Sequence, residues 1–89
     1  MLVLPAQLTH EQAPACARML VQALRGEPQQ VVADASALQA FDSSALSVLL
    51  ECRREAMAQG KQFSVLHLPP RLRELAGVYG VGELLPTAA

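Results

Sequence analysis

Apolar positions recur with two different periods along this chain, and each change of period marks an element boundary. Between Ala13 and Leu24, the residues Ala13, Cys16, Ala17, Leu20 and Leu24 fall three or four apart, which puts them on one face of a helix. The same period returns from Ser44 to about Gln59. There Ala45, Leu49, Cys52 and Ala56 share a side flanked by Leu46, Leu50 and Met57, while Ser47, Glu51, Arg54 and Glu55 lie opposite. It returns again after Pro70, with Leu72, Leu75, Ala76 and Tyr79 on one face. Between the helices lie short apolar runs that read as strands: Met1 to Leu4, Gln30 to Ala35, and Gln62 to Leu68. Val31 and Val32 are the best β-formers of the second. In the third, Leu66 and Leu68 alternate poorly with Phe63 and Val65, the pattern of a strand buried on both faces.

The residues between these runs fit as punctuation. Pro5 breaks the first strand. Thr9 with Gln12 three residues on forms a capping box, but Pro14 lacks an N–H, so the regular helix is expected from about Pro14. Arg25 suits the C-terminal end of that helix, and Gly26 its stop. Ser36 to Ala40 reads as a connecting stretch. Gly60 ends the second helix, Pro70 suits the first turn of the third, and Gly80 ends it. Val81 to Pro86 is an apolar tail expected to pack back as a turn or short strand. Strand and helix alternate three times. This predicts an α/β fold with a small, mostly parallel or mixed sheet, joined by right-handed crossovers. No repeat, linker or low-complexity segment divides residues 1–89, so one domain is expected.

Composition narrows the functional classes. The chain is 52% hydrophobic but only 3% aromatic, so its core must be built from Leu, Val and Ala. A net charge of −1 with no basic run gives nucleic acid neither a positive patch nor stacking rings. Met1 to Leu4 is too short for a signal peptide or a membrane span, which predicts a cytoplasmic protein without membrane insertion. Cys16 and Cys52 sit in helical apolar patterns without ligand spacing and read as buried hydrophobes. His10 and His67 are far apart in sequence, so no metal site is expected, and no cofactor motif is visible. Ser43, His67 and Asp42 can be drawn as a triad on paper, but there is no nucleophile elbow, and an enzyme is not expected. Arg71 and Arg73 ill suit the start of a helix, where the dipole disfavours cations, which hints at a partner.

The densest polar feature is the junction Phe41-Asp42-Ser43-Ser44-Ala45-Leu46, where a strand-like segment ending near Asp34 gives way to the central helix. Asp42 or Ser43 can accept a hydrogen bond from the free N–H groups of the first turn. A cap explains one polar residue and leaves a second hydroxyl followed by a small residue. A phosphate at the helix start, or a partner protein docked there, would use it.

Asp42-Ser43-Ser44-Ala45-Leu46, with the order of elements around it, resembles the signature loop of STAS domains. The resemblance extends from about Leu2 to Pro86. It implies a STAS fold with helices mainly on one face of the sheet. It also implies a family strand ahead of Met1 to Leu4 that this chain does not supply, leaving an edge open to self-association. By the same resemblance Asp34 supports the signature loop, and Asp42, Ser43, Ser44 and Ala45 form a partner-binding tip. Within the family, the segments Leu75 to Val81 and Leu84 to Pro86 resemble the small subunit of Mla-type phospholipid-transporting ABC complexes. There the hydroxyl after the Asp, here Ser43, contacts the cytoplasmic ATPase subunit. The alternative is an anti-sigma-factor antagonist, whose kinase partner phosphorylates the second hydroxyl, here Ser44. Ser44 and Ser43 are therefore both phosphoacceptor candidates.

Overall fold

The computed structural model describes residues 1–88. In chain order the elements are β1 (Leu2–Val3), β2 (Gln7–Leu8), α1 (Ala13–Leu24), β3 (Gln30–Asp34), β4 (Ala40–Phe41), α2 (Ser44–Ala58), β5 (Gln62–Leu66) and α3 (Pro70–Val78), followed by a 3-10 turn at Gly82–Leu84. The main sheet runs β1-β3-β5, and every pairing in it is parallel. Leu2 lies opposite Ala33, and Ala33 opposite Val65. That register puts Leu2, Val31, Ala33, Phe63 and Val65 on one buried face. Val3, Val32, Asp34, Ser64 and Leu66 lie on the other face, half-buried or exposed. β5 therefore alternates, and the expectation that it is buried on both faces is corrected: the helices cover only one side. α1 packs on α2 and β1, and α2 packs on β5. The buried side chains form a single cluster that also takes in Leu72 and Ala76 from α3 and Leu85 beyond it.

The helix boundaries follow the local chemistry. Gln12 Oε1 accepts the Thr9 N–H at 2.9 Å and the Thr9 hydroxyl at 2.7 Å, the return half of a capping box. The α-helix proper begins only at Ala13, with Pro14 in its first turn, where a missing N–H costs nothing. The end of α1 is held from outside: Lys61 Nζ donates to the carbonyls of Leu24, Arg25 and Glu27 at 3.0, 3.4 and 2.7 Å. A cation here satisfies orphan carbonyls and complements the negative end of the dipole. Gly60 and Gly80 stop α2 and α3 with φ of 71° and 72°, a conformation that costs glycine nothing. β5 ends two residues earlier than its apolar run, because His67 turns into the left-handed region at φ 58° ahead of Leu68-Pro69.

Two expected helix faces are shifted. Met57 is 56% exposed, whereas Val48 is buried, because α1 lies alongside α2 and widens its buried stripe towards Val48. Tyr79 is 60% exposed rather than packed, since α3 stops at Val78 and the tyrosine occupies the cap position.

Two features lie outside the strand-helix alternation. β2 and β4 form a parallel two-stranded sheet of their own, pairing Gln7 with Ala40 and Leu8 with Phe41. Ala6 O accepts the N–H groups of both Gln39 and Ala40 at its start. The stretch ending at Ala40, read as a plain connection, is thus tied to the chain's beginning. After the 3-10 turn, the tail comes back along β5. The Val65 N–H donates to Pro86 O at 2.8 Å, and the Ala88 N–H to Val65 O at 2.9 Å, making a parallel bridge between Val65 and Thr87. This covers the β5 edge of the sheet. At the other edge β1 has only β3 beside it, and no strand precedes it among the described residues.

Candidate functional site

The β2–β4 pairing decides what surrounds the polar junction. Because Leu8 sits opposite Phe41, the residues that follow, Thr9-His10 and Asp42-Ser43, leave the little sheet side by side. Asp42 uses both carboxylate oxygens there. Oδ1 accepts the Ser44 N–H at 2.8 Å, and Oδ2 accepts the His10 N–H at 3.1 Å, with His10 Nδ1 at 3.4 Å. The Ser44 N–H is the main cause holding the Asp42 carboxyl below the ordinary range, and the His10 N–H adds to it. Asp42 is thus the group that caps α2. Ser43 stands at the N-cap position with helical angles, φ −62° and ψ −17°, and its side chain makes no capping bond. An N-cap side chain reaches back only when its backbone is extended.

The four residues of the signature are placed very differently. Ser43 is exposed, Asp42 and Ser44 are half-buried, and Ala45 is fully buried. The Ala45 side chain therefore belongs to the core, and the surface at this point is made by Asp42, Ser43 and the edge of Ser44. Ser43 lies on a ridge between two shallow grooves. One is lined by Phe41, Asp42, Arg71, Glu74, Val78 and Tyr79 among others; the second by Leu46, Ser47, Leu50, Tyr79 and Val81. Tyr79 borders both, and Val78 beside it is 81% exposed. The Arg71 guanidinium lies 5.9 Å from the centroid of the Phe41 ring, within cation–π range, so it is held near the loop by α3 and β4 together.

Other residues singled out from the sequence lie elsewhere. Asp34 Oδ1 accepts the Ser36 N–H at 3.0 Å and faces His67 Nδ1 at 3.4 Å. The Ser36 bond is the first cause of its lowered carboxyl pKa. Its contacts shape the turn after β3 and do not reach the residues at 42–45. His67 belongs to Asp34, so Ser43, His67 and Asp42 do not assemble as a triad. Arg73, noted as a partner hint, is used within the fold: its guanidinium donates to Leu85 O at 2.8 Å, to Gly82 O at 3.4 Å and to the Thr87 hydroxyl at 3.3 Å. Among the described residues no three His, Cys, Asp or Glu side chains gather as metal ligands, and no helix is long and apolar enough to cross a membrane. His10, Val78 and the exposure of Tyr79 were not signalled by the sequence pattern. The first depends on a pairing between residues more than thirty apart, and the others on where α3 ends.

The exposed Ser43 hydroxyl thus stands beside the Asp42–His10 pair, between grooves that mix charged side chains with apolar ones. The chain belongs to the STAS domain family: the family model described as "Mlab, STAS domain" matches residues 1–86. STAS domains are generally binding or regulatory domains rather than enzymes. No curated protein matches the chain.

Proposed function

We propose that this chain is a non-enzymatic regulatory or assembly subunit of an Mla-type phospholipid-transporting ABC complex. In this reading it docks on the cytoplasmic ATPase subunit through the Ser43 ridge. The observation that carries the reading is the contrast between the two hydroxyls. Ser43 is exposed and stands between two grooves bordered by an exposed tyrosine and valine. Exposed aromatic side chains beside a polar contact are typical of interface centres. Ser44 is half-buried, and its own N–H is bound by the Asp42 carboxylate. A phosphate on Ser44 would sit against that carboxylate, where like charges repel. This weighs against the anti-sigma-factor switch, in which Ser44 is the modified residue. The description of the matched family points the same way.

The test is recovery of partners with the tagged chain from its own cells, with mass spectrometry of the partners and of Ser43 and Ser44. Recovery of an ABC ATPase and its permease, lost on Ser43→Ala, supports the proposal. Recovery of a serine kinase together with phosphate on Ser44 replaces it with the anti-sigma-factor reading.

A further inference from the structure

The Asp42 carboxylate joins segments that lie 32 residues apart. One oxygen holds the Ser44 N–H and the other holds the turn at His10. Between those anchor points, on the α2 side, stands Ser43, whose hydroxyl has no capping bond of its own. The little sheet leading into the junction pairs only two residues on each side. The first turn of a helix has free N–H groups and frays unless something outside it accepts them. We infer that Asp42 is a positioning residue for docking, which acts through Ser43 by clamping the loop to the His10 turn and so fixing where the Ser43 hydroxyl stands. This rests on the docking role proposed for Ser43 and adds a division of labour: Ser43 touches the partner, Asp42 sets its place, and the His10 turn is the anchor. The lowered Asp42 carboxyl pKa agrees, since both anchor N–H groups favour the charged acceptor.

The experiment combines Asp42→Ala, Ser43→Ala, the double variant and Asp42→Asn. Affinity is measured for the purified ATPase subunit of an Mla-type complex from the same cells. Amide exchange at His10 and Ser44 is measured on the chain alone, with the thermal midpoint as a check on folding. Ser43→Ala weakens binding about tenfold, as expected of a central contact. Asp42→Ala weakens it by a similar factor and accelerates exchange at His10 and Ser44. The double variant is no weaker than either single one, because Asp42 acts through the residue already removed. Independent contacts would instead multiply to about a hundredfold. Asp42→Asn keeps the Ser44 bond through its amide oxygen but turns an NH2 donor towards the His10 N–H, so exchange accelerates at His10 rather than at Ser44 and affinity falls much as in Asp42→Ala.

Multiplying losses would overturn the inference by making Asp42 a partner contact in its own right. Unchanged exchange at His10 and Ser44 in Asp42→Ala would overturn it by showing that the carboxylate clamps nothing. Absence of binding by the wild-type chain overturns the docking reading and, with it, the positioning role in docking. The exchange measurement then still decides whether Asp42 fixes the loop.

Discussion

Arg73 offers the sharpest test of how this fold is held together. Its guanidinium reaches from α3 to three acceptors on the returning tail, of which only the Leu85 carbonyl at 2.8 Å is at a short distance. The bonds to Gly82 and Thr87, at 3.4 and 3.3 Å, are long and contribute less. Hydrogen bonds involving a charged group are worth roughly 1.5–3 kcal/mol. One good and two poor bonds in a partly solvated setting place the loss on Arg73→Met near 1.5–2 kcal/mol, with the aliphatic stem kept. The tail would not leave for good, because Leu85 is fully buried and its burial alone is worth about 1.5–3 kcal/mol. The loss should therefore appear as more frequent local opening, about ten- to thirtyfold at 1.4 kcal/mol per factor of ten. Native-state amide exchange reads this directly. The Val65 and Ala88 N–H groups, which bond across the bridge, should speed up by that factor, while Leu49 in α2 should not. Arg73→Lys should restore only part, since an ammonium does not reproduce a planar fork of donors. Unchanged exchange at Val65 and Ala88 would refute the clamp and leave the burial of Leu85 and the backbone bridge at Val65 to fasten the tail. An equal rise at every amide would show that the tail opens only with the whole fold.

Leu49→Ala should cost roughly 2–5 kcal/mol by urea or thermal unfolding, because Leu49 is fully buried, while Met57→Ala on the same helix should stay within about 0.5 kcal/mol; similar costs for both would mean that α2 is turned otherwise. Cys52, with its thiol pushed up to about 12 chiefly by burial, and Cys16, raised by burial, should resist an aromatic disulfide reagent near neutral pH until the chain is unfolded in urea. Rapid modification of the native chain would contradict their burial. Asp42 and Asp34 have native carboxyl pKa values below the ordinary one, held down first by the Ser44 and Ser36 N–H groups respectively. Their contribution to stability is complete above the unfolded value of about 3.9 and is lost as pH falls through the depressed native values. The Asp34→Asn, Asp42→Asn double variant should therefore lose part of the acid dependence of unfolding below about pH 4, and an unaltered dependence would sink the assignment.

The alternation of periods was enough to place three helices and three parallel strands, since each is a run long enough to show its own spacing. β2 and β4 were not legible, because Gln7-Leu8 and Ala40-Phe41 are too short to alternate and pair only with each other across the fold. The site inherits that gap. The spacing Asp42-Ser43-Ser44-Ala45 marks the junction and allows either Asp42 or Ser43 as the cap. The choice of Asp42, the approach of His10 and the burial of Ala45 follow from how β4 delivers the chain to α2. The exposure of Tyr79 turns on a single residue of helix length, which apolar spacing does not resolve.

Order across the main sheet repeats order along the chain: β1, then β3, then β5, then the bridge at Thr87. During synthesis each strand therefore emerges after the neighbour on which it will pair. None has to be inserted between two that are already joined, and no early strand must wait, unpaired on both sides, for a late one. Parallel sheets assemble slowly because every pairing must close a long loop. Here those closures can be made one at a time, in the order in which the chain appears.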